Sequence, residues 1–218
     1  MRIYGKTDQM EVMLDTNENK IQITQRWKCN FTTAPNHHGQ WSDEEKSEYR
    51  RNVHNILDNV WGKTVYAVVM PNSDSKFSTT YEGQKFTFTP KIVFTNYGCD
   101  WEVEVLKFDN FKRDCWVNWA ERKIQLTNFA VVKDRFGALA SFTHPKADRW
   151  SVAHEYGHTI GNIDAFGTGD EYRPQSPAYT DYISIMNLGS QVRTRHFQHI
   201  RDILHEMCPG VKFDILLH

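Results

Sequence analysis

The stretch Ser151-Val152-Ala153-His154-Glu155-Tyr156-Gly157-His158-Thr159-Ile160-Gly161-Asn162-Ile163-Asp164 decides how the rest of the chain is read. Pro145 precedes it, and the pattern predicts a helix over 149–160 that stops at Gly161. On a helix, residues four apart share one face, a turn apart. The imidazoles of His154 and His158 can therefore converge on one metal ion. Glu155, beside the first histidine, is placed to reach a metal-held water. Zinc lowers the pKa of such a water toward neutrality, and a carboxylate there takes its proton. Trp150, Val152 and Ala153 supply an apolar back face for the helix.

Gly161 follows His158 by three residues and Asp164 follows Gly161 by three, so the run is HExxHxxGxxD. A glycine at 161 can adopt positive φ and turn the chain sharply. That turn would bring the Asp164 carboxylate back to the two histidines and complete a three-ligand site with one open position. The bland alternative for Asp164 is a turn or helix-end carboxylate.

Upstream, Ser42 with Glu45 forms a capping box. Tyr49, Val53, Ile56, Leu57 and Val60 then repeat at helical spacing until Gly62. Thr64–Met70 is a nearly continuous apolar run that suits a buried central strand. From about 80 to 131 the pattern is β-rich, through Phe86 and Phe88, Ile92–Phe94, Val103 and Val105, and Lys123–Phe129. Residues 132–147 read as a loop with an extended piece at Leu139–Phe142. Residues 162–192 read as irregular, and 195–207 as a last helix with Phe197, Ile200, Leu204 and Met207 on one stripe. Residues 1–30 read as short strands, either an N-terminal extension or the first part of the sheet. His37 and His38 fall in a loop. His196, His199 and His205 on or near the last helix read as packing or solvated residues.

The chain has 218 residues, 39% hydrophobic and 13% aromatic, which fits one globular domain able to bury about 70% of its unfolded surface. With 26 basic and 27 acidic residues it has no charge excess for nucleic acid or an anionic membrane. No run approaches the roughly 20 apolar residues of a membrane span. Met1–Met10 is polar and lacks the apolar core of a secretory signal, so a soluble protein is expected, with export by another route left open. Cys29, Cys99, Cys115 and Cys208 form no CxxC pair. Cys99 with Cys115 could bridge neighbouring strands, or all four could be free thiols.

His154 to Asp164 resembles the extended motif of the metzincin zinc metallopeptidases, and within them the snapalysin-like subset whose motif ends in Asp. Ser184-Ile185-Met186-Asn187 resembles their Met-turn, with Met186 beneath the metal. The resemblance implies an α+β fold: a metzincin-like zincin with a twisted mixed sheet, a long backing helix, an active-site helix and a C-terminal helix. It implies one domain over 1–218, with an upper subdomain at 31–161 and a lower one, carrying the Met-turn, at 162–218. Two departures stand out. Asp170-Glu171-Tyr172 matches a triplet that some related HExxH peptidases carry after the helix turn, which would make Asp170 the third ligand and Asp164 a bystander. Asp170 and Glu171 could also hold calcium or cap a turn. Where some metzincins have a tyrosine after the Met-turn, this chain has Leu188, and Tyr172, Tyr179 and Tyr182 are the nearby phenols. Arg193, Arg195 and Asp181 could form a buried network near the Met-turn, and Cys29 could block the metal in a latent form.

The expectation is a zinc-dependent endopeptidase acting on a peptide or protein substrate laid along a sheet edge, with metal on His154, His158 and Asp164 and with Glu155 as general base. The alternatives are a secreted or translocated toxin or effector hydrolase cutting another amide, and an inactive zinc-binding module. Glu155 speaks against the last, because a structural zinc site has no use for a carboxylate beside its first ligand and usually has four protein ligands.

Overall fold

The computed structural model describes residues 1–35, 37, 39–62, 64–111, 114–135 and 148–218. The expected extended piece at 139–142, Pro145 and His38 lie outside these residues.

Helix α1, Asp43–Val60, begins where the capping box predicts. The Ser42 hydroxyl accepts from the Glu45 amide, and the Glu45 carboxylate accepts from the Ser42 amide. Its buried residues are the expected Tyr49, Val53, Ile56, Leu57 and Val60. At about 1.5–3 kcal/mol per fully buried aliphatic side chain, this stripe outweighs the helix's intrinsic propensity.

The strand β3, Lys20–Thr33, lies at the middle of the sheet. Ile21, Ile23, Gln25 and Trp27 alternate inward along it. Strands β1 (Arg2–Lys6) and β2 (Glu11–Asp15) meander into its first half, so residues 1–30 are an integral part of the sheet and not an appendage. The remaining strands are β4 (Val65–Val69), β5 (Lys85–Phe94), β6 (Trp101–Lys107), β7 (Trp116–Asn118), β8 (Lys123–Thr127) and β11 (Phe213–Leu217). The order is β11-β4-β5-β3-β6-β8-β7. The β3–β5, β3–β6 and β6–β8 pairs are parallel, and β11–β4, β4–β5 and β7–β8 are antiparallel. Strands β9 (Asp134–Arg135) and β10 (Asp148–Arg149) form a separate ribbon. The result is a mixed α+β fold with a twisted mixed sheet.

Three details differ from the sequence reading. Strand β4 is one strand in from the edge, and its burial alternates, so its apolar run is not buried on both faces. The two β segments expected at Phe86–Phe88 and Ile92–Phe94 form one strand through Pro90. Strand β4 pairs only with 85–87, so the missing amide of Pro90 lies beyond it. Helix α2 (Lys76–Tyr81) and strand β11 had no counterpart among the expected elements.

Helix α3, Ser151–Thr159, packs against α1 and against strands β7 and β8, and is tied at both ends. The Val152 amide donates to Ala130 O at 3.0 Å, and Trp61 Nε1 donates to Ala153 O at 2.9 Å. Gln25 anchors the other end: its Nε2 donates to Thr159 O, and its Oε1 accepts from Thr159 Oγ1 and Trp27 Nε1, each at 3.0 Å. Helix α4 (Gln198–Met207) packs on β1 and β11, with Ile200 and Leu204 buried as its stripe predicts. No described helix is long and apolar enough to cross a membrane.

Candidate metal centre

One helical turn of α3 brings the rings of His154 and His158 to 4.9 Å between centroids. Their Nε2 atoms are 3.3 Å apart. The third group there is Asp170, whose Oδ1 is 3.2 Å from His154 Nε2 and 3.3 Å from His158 Nε2. Among the described residues, these form the single group of three or more His, Cys, Asp or Glu side chains close enough to share a cation.

Asp164, expected as the third ligand, is elsewhere. Gly161 makes the predicted turn at φ 106°, but the chain then enters a 3₁₀ turn, Asp164–Phe166, closed by Gly167 at φ 76°. Phe166 stacks on His199 at 4.8 Å and meets Trp119 edge-on at 6.0 Å. These contacts hold the turn away from the imidazoles, and the Asp164 side chain, 62% exposed, instead pairs with Arg173 at 2.6 Å. Residues 167–169 lead back, so it is Asp170, the first residue of Asp-Glu-Tyr, that faces the histidines.

The outer atoms of the three groups are also fixed. Ile185 O lies 2.7 Å from His154 Nδ1, and Asn162 O lies 2.6 Å from His158 Nδ1. Carbonyls only accept, so both Nδ1 atoms carry the proton and both Nε2 atoms present a lone pair. Arg149 Nη1, 3.1 Å from His154 Nδ1, donates to Asn187 O at 2.9 Å. Asp170 Oδ2 accepts from Tyr172 Oη at 2.8 Å and from Arg173 Nη2 at 3.1 Å, which turns Oδ1 to the rings. Asn162 is itself locked, its Nδ2 donating to Gly157 O and His196 O.

Burial pushes His154 down to about 3, and the positive charge of Arg149 adds to this. Burial alone would also lower His158, but the carboxylates of Asp170 and Glu155, which favour its charged form, raise it. Burial opposes ionisation of Asp170 too. The two histidines that face it overcome this and hold the carboxyl well below the usual range. Glu155 is buried beside the trio, and burial pushes its carboxyl up to about 7.

Three donor atoms separated by 3.2–3.3 Å outline the edge length of a tetrahedron with arms of about 2.0 Å, the Zn–N distance. Two neutral imidazoles and one carboxylate are a zinc donor set of the kind that leaves a fourth position open. The residues present fit such an ion.

No protein-family model, curated protein or solved structure matches the chain. The centre is therefore read from its own geometry.

Met186 lies beneath α3. It is fully buried, and a Cβ on Gly157 would collide with its sulfur. The turn around it is closed by Asn187 N to Ser184 O at 3.0 Å and Gly189 N to Ser184 O at 2.9 Å. Below, Glu171 takes two bonds from Arg195, at 2.6 and 2.8 Å, and lies 3.2 Å from His196 Nε2. Asp181 joins Arg195 at 2.7 Å and Arg193 at 2.8 Å, so the three are linked as expected, but they are half-buried, and the buried members are Glu171 and His196.

The trio opens into a cleft of about 1070 Å³. Trp116, Val117 and Trp119, and Tyr172, Arg173 and Leu188, are among the residues that line it. Of the three candidate phenols only Tyr172 lines it. Strand β7, which borders the cleft, is the last strand in the sheet order. His199 and His205 serve packing: His205 stacks on Phe213 and accepts from its amide at 3.1 Å. Cys29 sits in β3 away from the cleft, and the four thiols are unpaired, so Cys99 and Cys115 are not bridged.

Gly157, Tyr172 and Arg173 were not assigned these structural roles from sequence. The signal for Gly157 was available: a mid-helix glycine costs about 1 kcal/mol against alanine and marks a close approach.

Proposed function

We infer that this chain is a zinc-dependent endopeptidase of metzincin type, with His154, His158 and Asp170 as metal ligands and Glu155 as general base. The observation that supports this most is the three-atom set of His154 Nε2, His158 Nε2 and Asp170 Oδ1, with a buried carboxylate beside it in an open cleft. The Met-turn beneath α3 adds to the likeness.

A zinc ion held there supplies Lewis acidity, both to acidify a water and to polarise a scissile carbonyl. Glu155 takes the proton of the attacking water and hands it to the leaving amine. Its burial, which raises the carboxyl's affinity for a proton, suits that task. The Nδ1 bonds to Ile185 and Asn162 hold the two rings in the tautomer that presents Nε2. The phenol of Tyr172 lines the cleft but spends its one proton on Asp170, so it would donate to a developing oxyanion only by giving up that bond. An extended substrate would add to the side of β7 that no described strand pairs, where the cleft-lining Trp116 and Trp119 favour apolar side chains.

The test is zinc content by elemental analysis together with casein cleavage, on the wild type, Glu155→Gln and Asp170→Ala. Glu155→Gln is expected to keep zinc and lose about 10²–10⁴-fold in rate. Asp170→Ala is expected to lose both. A zinc-free, inactive wild type would sink the reading, and full activity in Glu155→Gln would leave zinc without the assigned base.

A further inference from the structure

Asp164 is the residue that the HExxHxxGxxD spacing singled out, and the ligand role does not absorb it. The structure gives it a different connection to the same centre. Its Oδ2 accepts from Arg173 Nη1 at 2.6 Å. The other arm of that guanidinium, Nη2, donates to Asp170 Oδ2 at 3.1 Å. Asp170 Oδ1 faces both histidines. One guanidinium thus spans two carboxylates, one solvent-facing and one at the metal centre, in the planar fork that arginine provides and lysine does not.

Local packing makes the arrangement specific. A Cβ on Gly169, the residue just before Asp170, would fall on the Asp164 carboxylate and 2.7 Å from the Asp164 amide nitrogen. The glycine thus leaves the space in which Asp164 is seated against the strand of chain that delivers Asp170. An isolated exposed ion pair contributes little. This one is not isolated, because the Asp170 side chain it reaches is only 13% exposed and carries the atom that faces the rings.

Charge points the same way. Arg173 next to a cation site opposes the cation, and Arg149 already stands 3.1 Å from His154 Nδ1. Asp164 offsets the Arg173 charge without touching the centre.

We propose that Asp164 and Arg173 are positioning residues for the metal. Arg173 sets the orientation of the Asp170 carboxylate, and Asp164 holds and neutralises Arg173. The proposal rests on the metal-centre reading given above. Outer partners of metal ligands typically change metal affinity by about 10–100-fold when removed; the lower end fits Asp164, which acts through Arg173, and Arg173, whose removal also takes away a charge that opposes the cation.

The experiment is zinc affinity of the full chain, measured by competition with a chelating dye, for the wild type, Asp164→Asn, Arg173→Gln, the double variant and Asp170→Asn. The thermal midpoint of each apo-protein under chelator checks folding independently. Asp164→Asn and Arg173→Gln are each expected to weaken zinc by about tenfold, with the apo midpoints close to that of the wild type. Asp170→Asn is expected to weaken it far more. The double variant is expected to be no weaker than the worse single variant, because both act through one guanidinium. The visible absorption of bound cobalt(II) is expected to keep the wild-type intensity in Asp164→Asn, since the ligands are unchanged. Affinities within twofold of wild type in both single variants would overturn the proposal, as would losses that simply add. A loss in Asp164→Asn as deep as in Asp170→Asn, with an altered cobalt spectrum, would overturn it by making Asp164 a ligand. A wild type that binds no zinc would remove the metal-centre reading itself, an outcome that the wild-type titration alone identifies.

Discussion

Replacing Gly157 with alanine tests whether Met186 sits against α3 as closely as the structure places it. In an exposed helix interior the change would stabilise by about 0.8–1 kcal/mol, because alanine has the higher helix propensity. Here the new methyl meets the Met186 sulfur in direct collision, Trp61 Cζ2 at 3.0 Å and Met186 Cε at 3.3 Å. Neither neighbour yields easily. Met186 is fully buried, and the Trp61 indole is fixed by its bond to Ala153 O. Overpacking of this kind costs about 1–3 kcal/mol. Taking the upper half of that range and subtracting the propensity gain leaves a net loss of about 1–2 kcal/mol. For a chain of this size each kcal/mol is about 2–4 °C, so Gly157→Ala is expected to lower the melting temperature by about 2–8 °C. The assay is thermal unfolding with a chelator present, so that metal binding does not add its own stabilisation. A second measurement fixes the cause. With Met186→Ala as the background, the same glycine substitution is expected to become neutral or stabilising. A melting temperature at or above wild type for Gly157→Ala alone would refute the close contact.

Further outcomes follow from other parts of the fold. Gln25→Leu removes the partner of Thr159 O, Thr159 Oγ1 and Trp27 Nε1, and is expected to cost about 1–3 kcal/mol in urea unfolding. The Arg193 and Arg195 bonds hold the Asp181 carboxyl below its ordinary value. A carboxyl depressed in the folded state stabilises fully above its unfolded pKa of about 3.9 and loses that contribution as pH falls through the folded value. The stability gap between wild type and Asp181→Asn is therefore expected to be widest near neutral pH and to close below about pH 4. Burial pushes the thiols of Cys29 and Cys115 up to about 12 and that of Cys208 to about 11. Mass spectrometry after iodoacetamide at pH 8 is expected to show all three labelled far more slowly in native than in urea-unfolded protein. Equal rates would contradict their burial.

What could be read from the sequence was local. Ser42 and Glu45 are three residues apart and satisfy each other, so the start of α1 needs nothing distant. His154 and His158 are one turn apart, so a helix alone brings them together. The third acidic group depended on contacts that spacing does not encode. Phe166 stacks on His199, 33 residues further along, and that contact carries Asp164 away. Asp170 arrives because a glycine at 169 leaves room for Asp164 and because Tyr172 and Arg173 hold its outer oxygen. The triplet Asp170-Glu171-Tyr172 was visible as a rival, but nothing local ranked it above Asp164. Strand β11 went unforeseen for the same reason: five residues after a Pro-Gly stop gain their hydrogen bonds from β4, nearly 150 positions earlier.

The length of β3 has a consequence for how this molecule comes into being. Its fourteen residues serve β2 and β6 along one side, end to end, and β5 along the other. Only the β1–β2–β3 meander can pair early in synthesis. The parallel neighbours come from 85–94 and 101–107, and β4 finds its outer partner only at 213–217. Pairings this remote in sequence close slowly, because long loops must be ordered first. The helix bearing His154 and His158, and the segment bearing Asp170, are both made before that last strand. A nascent chain would therefore carry His154, His158 and Asp170 while β4 still lacked its outer partner, and the sheet around them would close only after β11 had been made.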